Sequence, residues 1–76
     1  MDVWAELRLG TEHLQLFSTW DSHHVWASVY DLRIMQLIAL SAANDIEEGK
    51  QKAEECARLY LHLGKGQLPQ LLWRTR

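Results

Sequence analysis

Apolar and polar residues alternate along the first part of the chain, in segments 3–9, 12–20 and 24–31. Alternation places every second side chain on the same face of a β-strand, so each segment is predicted to be a half-buried strand. The pairs Gly10-Thr11 and Asp21-Ser22 separate these segments and consist of residues that tight turns favour. The pattern therefore predicts three consecutive antiparallel strands.

Residues 32–43 fit two structures. Their Leu, Met, Gln and Ala residues favour a helix, whereas Ile34, Ile38 and Leu40 alternate as in a strand. A separate helix begins directly afterwards at Asn44-Asp45, which favours an independent element before it. We predict a fourth strand here, with a helix as the alternative, and a sheet that spans about residues 3–42.

Beyond this point the apolar residues recur every three to four positions, which predicts an amphipathic helix over about residues 45–63. Either Asn44 or Asp45 caps its start, and glutamates three residues later complete a capping box. The glycine at position 64 is expected to end it. Gly49 lies inside the helix, where it costs about 1 kcal/mol relative to alanine, and we expect it to allow close packing on the sheet.

The tail, residues 65–76, holds more large apolar residues than a disordered segment does. Pro69 could begin a last helical turn, or Leu71–Trp73 could add an edge strand. The tail is expected to dock, either on its own chain or on a second one. The predicted fold is a single α+β domain over 1–76, in which an antiparallel sheet of about four strands is covered on one face by a single C-terminal helix.

Composition narrows the class of protein. Cys56 is the only cysteine, so no disulfide can form within the chain, which favours a reducing compartment. Neither a secretory signal nor an apolar run of membrane-spanning length is visible, so we expect a cytoplasmic protein. Net charge is −2 overall, but residues 1–31 carry −4 and the last twelve residues +3. The acidic sheet is expected to disfavour phosphates and to favour basic partners.

Candidate chemistry is sparse. The four histidines and the one cysteine lack the paired spacing of zinc sites, and Cys56 falls on the apolar stripe of the predicted helix. Nucleophile elbows, phosphate-binding glycine loops and helical zinc motifs do not occur in the sequence. We expect a protein that is not an enzyme and that carries no cofactor or metal.

Aromatic residues give the strongest positive signal. Trp26 and Tyr30 are opposite in phase to the small apolar residues of their strand, so they should lie on the sheet face that the helix leaves uncovered. Exposed aromatic residues commonly mark protein interfaces. The predicted partner-binding residues are Trp20, Asp21, Trp26, Tyr30 and Asp31, in which the two acids assist the aromatics.

The basic tail suggests a different surface. Trp73, Arg74 and Arg76 could contact a partner, or they could stack a base and bind phosphates. Glutamates alternate with the lysines of the predicted helix, so no one-sided basic stripe forms there. Nucleic-acid binding is therefore the weaker alternative.

Three stretches of the sequence resemble known small proteins: 26–30 (WASVY), 42–48 (AANDIEE) and the Ala53-Glu54 pair. Together with the order of elements over about residues 3–63, they resemble small phage-encoded α+β inhibitors of the anti-CRISPR kind. The second stretch is similar to the strand-to-helix junction of HicB-like antitoxins. Gly49 stands where an alanine would be expected.

The resemblance implies a non-enzymatic protein that blocks a host defence complex by direct binding and that acts in the host cytoplasm. Two alternatives stay open from the sequence. One is a structural homodimer or antitoxin-like protein that pairs through the open sheet face or the tail. The other is a nucleic-acid-binding module that uses the basic tail.

Overall fold

A computed structural model describes residues 2–75 of the chain. The elements follow one another as strands, one helix and a last short strand: β1 Asp2–Leu9, β2 Glu12–Asp21, β3 His24–Asp31, β4 Gln36–Ala43, α1 Ile46–Tyr60 and β5 Arg74–Thr75. The predicted α+β fold is confirmed, and residues 36–43 form the predicted fourth strand rather than a helix.

The five strands form one antiparallel sheet in the order β4-β3-β2-β1-β5. Its first four strands are a meander of consecutive hairpins. The hairpin between β1 and β2 turns at Gly10-Thr11, where only Gly10 has a positive φ, of 61°. That pattern is typical of a type II′ turn, which suits the right-handed twist of paired strands.

The core lies between the sheet and α1. Alternate residues of β1, β2 and β3 point towards the helix, and the central ones are fully buried, while Ala53 and Ala57 meet these residues from the helix side. The sheet contributes Ala5, Leu7, Leu14, Leu16, Val25, Ala27 and Val29. The small helix residues allow the backbone of α1 to approach the sheet closely, and the opposite face of the sheet carries no helix among the described residues.

At Gly49 the helix approaches the sheet closely. A Cβ atom added there would overlap Ser18 Oγ and would lie 3.0 Å from Val25 Cγ1. The Ser18 hydroxyl is itself buried and donates a hydrogen bond to the carbonyl oxygen of Ile46, at 2.9 Å. The expected close packing at Gly49 is therefore confirmed. The side chain that Gly49 approaches is Ser18, whose buried hydroxyl is hydrogen-bonded.

A β-bulge explains why residues 32–43 gave a mixed pattern. Val29 pairs with Ala39, but its neighbour Tyr30 pairs with Leu37, which leaves Ile38 as an extra residue in β4. Ile38 and Ala39 both pack against the core, and the phase of the strand changes at that point. The prediction that Ile38 and Leu40 lie on the same face of the strand is therefore wrong, because Leu40 pairs with Ser28 on the face away from α1.

The helix begins as predicted and ends earlier than predicted. Asp45 is the N-cap, and its carboxylate accepts a hydrogen bond from the backbone N–H of Glu48, at 2.8 Å. At the other end His62, rather than Gly64, takes the left-handed conformation, with φ 57°. Bonds from Leu63 N to Arg58 O and from His62 N to Leu59 O form a Schellman motif.

The tail docks on its own chain. Leu68, Leu71 and Trp73 pack against the edge of the core, and β5 then pairs with β1 at Val3 and Trp4. The edge-strand alternative holds, displaced by a few residues from Leu71–Trp73. Within the described residues, no helix has the length and hydrophobicity that a membrane crossing requires.

Candidate functional site

The sheet face that points away from α1 is not covered by any described helix, and we refer to it as the open face. Strand pairing aligns its side chains in rows that cross the sheet. The central row runs Arg74, Trp4, Phe17, Ser28 and Leu40. A second row, towards the β3–β4 turn, runs Glu6, Gln15, Tyr30 and Leu37, and a third, on the other side, runs Asp2, Thr19, Trp26 and Ala42.

Aromatic rings dominate this surface. Phe17 and Tyr30 meet edge to face, with ring centroids 5.7 Å apart, and Tyr30 remains 39% exposed. Trp26 is half-buried and lies beside the imidazole of His24, at 6.0 Å. Rings held by their neighbours lose little conformational freedom on binding, so they are suitable anchors for a protein partner.

An open pocket of about 350 Å³ lies between these rings and the turn after β3. Its walls combine apolar and hydrogen-bonding side chains: Gln15, Phe17, Thr19, Ser28, Tyr30, Leu32 and Met35. Among the described residues, the side chains of Gln15, Thr19 and Ser28 make no hydrogen bond, so their donors and acceptors are available to a bound molecule. A pocket of this kind fits one large apolar side chain together with the polar backbone that carries it.

Apolar side chains extend the open face beyond the aromatic rings. Leu37 and Leu40 on β4 are 45% and 59% exposed, and Met35 in the turn before β4 is 77% exposed. Met35 also adopts a positive φ of 55°, a conformation that is strained for any residue with a side chain. The alternation of apolar residues did not single out these side chains as part of an exposed surface. The signal that could have found them is an apolar turn where glycine, asparagine or aspartate is usual.

The acids of the sheet lie on both of its faces: the register puts Asp2, Glu6 and Asp21 on the open face, and Glu12 and Asp31 on the helix side. Glu6 lies on the open face but is bound by His13 Nε2 at 2.5 Å and by Arg8 at 3.6 Å. The hydrogen bond from His13 is the main cause that lowers the pKa of Glu6. Glu12 pairs with Arg33 at 2.8 Å. The partners of Glu6 reduce the negative charge of the open face.

Asp21 holds the turn between β2 and β3. Its carboxylate accepts hydrogen bonds from the backbone N–H groups of His23 and His24 and, at 2.9 Å, from the indole of Trp26. These bonds, led by the one from His23, lower the pKa of Asp21. Asp21 therefore positions Trp26 at the margin of the open face.

Two of the predicted partner-binding residues do not lie on the open face. Trp20 is 49% exposed but pairs with buried Val25, so its strand phase directs it towards the helix side. Asp31 is fully buried on that same side. It accepts a hydrogen bond from the Tyr60 hydroxyl at 2.6 Å and one from Arg33 N at 3.0 Å. Asp31 is therefore a structural carboxylate, and its predicted contact role is wrong.

The tail residues make contacts within the chain. The indole N–H of Trp73 donates to Glu54 at 2.7 Å, and Lys50 Nζ lies 6.0 Å from the centre of its ring. Arg74 stacks over Trp4, with its guanidinium carbon 5.6 Å from the ring centre. Because Trp73 closes the core edge, it could stack a nucleic-acid base only if the tail left the sheet. Arg76 lies outside the described residues.

Within residues 2–75, no three histidine, cysteine, aspartate or glutamate side chains lie close enough to hold a metal ion. Cys56 is half-buried and packs against the core. No protein-family model matches the chain, and comparisons with curated proteins and with solved structures gave no significant match.

Proposed function

We propose that this chain acts by binding another protein through its open face rather than by catalysis. One observation carries the proposal: Trp4, Phe17, Trp26 and Tyr30 lie together on a sheet face without a helix, although burial in the core would be the ordinary place for such side chains. A contiguous exposed apolar surface of this kind commonly marks an interaction site.

The chemistry of the surface suggests what the partner offers. Glu6 is paired with His13 and Arg8, which weakens its electrostatic attraction to a charged partner. The rings and Leu40 suit an apolar or aromatic patch, and the free amide of Gln15 and hydroxyl of Ser28 suit backbone groups at its margin. We infer a protein partner that inserts one large apolar side chain beside Tyr30.

The resemblance to phage-encoded inhibitors supports a more specific proposal, in which the partner is a subunit of a host defence complex and binding blocks that complex. An interference assay tests it: a host that carries an active defence system is challenged with phage while it expresses this chain. Restored phage growth that depends on Trp26 and Tyr30 would support inhibition. Full defence in the presence of the expressed, folded chain would reject it.

The binding proposal is tested with purified components. A partner captured from host lysate is identified, expressed alone and titrated by calorimetry against the wild-type chain and a Trp26→Ala/Tyr30→Ala variant. Interface aromatics of this type contribute about 2 kcal/mol or more each, so the loss of both should raise the dissociation constant by roughly 800-fold or more.

Leu59→Ala is the matched control. Leu59 is 58% exposed on α1, on the opposite side of the molecule, so its truncation removes exposed apolar surface without touching the open face. It should leave the affinity unchanged. Circular dichroism confirms that both variants fold. Equal affinity of the wild type and the folded double variant would exclude the open face as the binding surface.

A further inference from the structure

The two edges of the sheet differ in whether another strand covers them. At one edge the chain returns from α1 and places β5 against β1, at Val3 and Trp4. At the other edge, β4 is the last strand in the order, and no described strand lies beyond it. Natural proteins seldom leave a long edge strand without a cover, because its backbone groups pair readily with another chain.

The composition of β4 is that of an interior strand. Its eight residues, Gln36–Ala43, include no charged residue and no proline. Charged residues and proline are the usual means by which an edge strand avoids pairing. Leu37 and Leu40 are instead exposed on its open-face side. The sequence thus keeps β4 suited to pairing, although the fold places it at an edge.

Lys52 shows which backbone groups point outwards. Its ammonium group donates to the carbonyl oxygen of Ala42 at 2.7 Å, so this carbonyl is directed away from β3. Backbone groups alternate along an antiparallel strand, so the N–H and C=O of Leu40 point outwards as well, whereas those of Ser41 pair with β3. Lys52 covers the C-terminal end of the edge and leaves its middle open.

We propose that two copies of the chain associate by antiparallel pairing of their β4 strands, which joins the two sheets into one continuous sheet. Self-pairing brings no like charges together, because β4 carries none. Because β5 covers part of the opposite edge at Val3 and Trp4, such pairing is expected to close at two copies rather than extend into a fibre.

Charges that flank β4 complement one another under a two-fold axis. Antiparallel pairing places the residues just before one β4 beside those just after the other. Arg33 precedes the strand; it pairs with Glu12 within its own chain, and its side chain is still 46% exposed. Glu47 follows the strand; it pairs with Lys50, and its side chain is 74% exposed. Each dimer would thus bring a basic group beside an acidic one twice, which favours a second copy over an unrelated strand.

Sedimentation equilibrium of the full chain at increasing concentration tests the proposal. The mass should approach twice 8.9 kDa. Leu40 lies near the middle of β4, so Leu40→Lys would place two ammonium groups close to the axis and should weaken association by roughly a hundredfold or more. Gln51→Lys adds the same charge on the exposed surface of α1 and should leave association unchanged.

Amide hydrogen exchange supplies a readout at the level of single residues. The outward N–H of Leu40 should exchange rapidly at low concentration and slowly at high concentration, whereas that of Ser41 should be slow at both. A mass of one chain at every concentration would overturn the proposal, and so would a dimer that the folded Leu40→Lys variant still forms. This result is independent of the proposed function, since a dimer can form whether or not the open face binds a partner.

Discussion

Replacement of Gly49 by alanine tests the close contact between α1 and Ser18 of the sheet. In an exposed helix the change would stabilise the protein by about 1 kcal/mol, because alanine is the better helix former. Here the new methyl group would overlap Ser18 Oγ and would meet Val25 Cγ1 at 3.0 Å. Overpacking of a tight core typically costs about 1–3 kcal/mol.

The Ser18 hydroxyl adds to that cost. To make room it must rotate away from the carbonyl oxygen of Ile46, and a buried hydroxyl that loses its partner costs a further 1–3 kcal/mol or so. After the gain in helix propensity is subtracted, we expect Gly49→Ala to lower the free energy of unfolding by about 1–5 kcal/mol. Urea denaturation followed by circular dichroism measures this difference.

A double-mutant cycle tests whether the Ser18 side chain causes this loss of stability. Ser18→Ala removes the overlapping oxygen and leaves only the contacts at 3.0 Å with Val25 Cγ1 and 3.1 Å with Ser18 Cβ. Gly49→Ala should therefore cost less in the Ser18→Ala background, by about 0.5–3 kcal/mol of coupling. Two results would refute this expectation: that Gly49→Ala raises stability in the wild-type background, or that the effects of the two changes are additive. Either would mean that the contact between position 49 and Ser18 does not cause the loss of stability.

Two further changes test the helix end and the buried carboxylate. His62→Gly should raise stability by about 0.5–1 kcal/mol, because φ 57° suits glycine and strains histidine; a thermal melt should shift upwards by a few degrees, whereas His62→Ala should change little. The hydrogen bond from the Tyr60 hydroxyl is the main cause that lowers the pKa of Asp31 below its ordinary value of 3.8. The charged carboxylate therefore stabilises the protein above about pH 4, and this stabilisation is lost as the pH falls through the lowered pKa. Tyr60→Phe should destabilise the protein at neutral pH, with a difference from wild type that shrinks in acid; a difference that is constant from pH 7 to pH 2 in urea titrations would exclude this role for Asp31.

Local pattern was sufficient for the first three strands and for the start of the helix. Alternation in β1 to β3 reflects burial on one face only, and the capping residues at Asp45 act within one turn of chain. The end of α1 was misplaced because glycine is the usual left-handed residue, whereas this chain uses His62. The bulge at Ile38 changes the strand phase in a way that a strict period of two does not express.

The candidate site was predicted in part, for a physical reason. Trp26 and Tyr30 were placed on the open face because their phase within β3 is a local property. The burial of Asp31 depends on Tyr60, which lies 29 residues further along the chain, so no local pattern could show it. The exposure of Leu37 and Leu40 depends on β4 being the outermost strand, which is a property of the whole sheet.

The pairing of β5 with β1 has a consequence for the order of folding. The meander β1–β4 forms from hairpins between neighbours in sequence, which close short loops and are fast to form. The contact between Val3 and Thr75 instead joins the two ends of the described chain and closes its longest loop. The sheet and helix can therefore assemble first. Trp73 and β5 then dock, as the last step of folding, on a domain that has already formed.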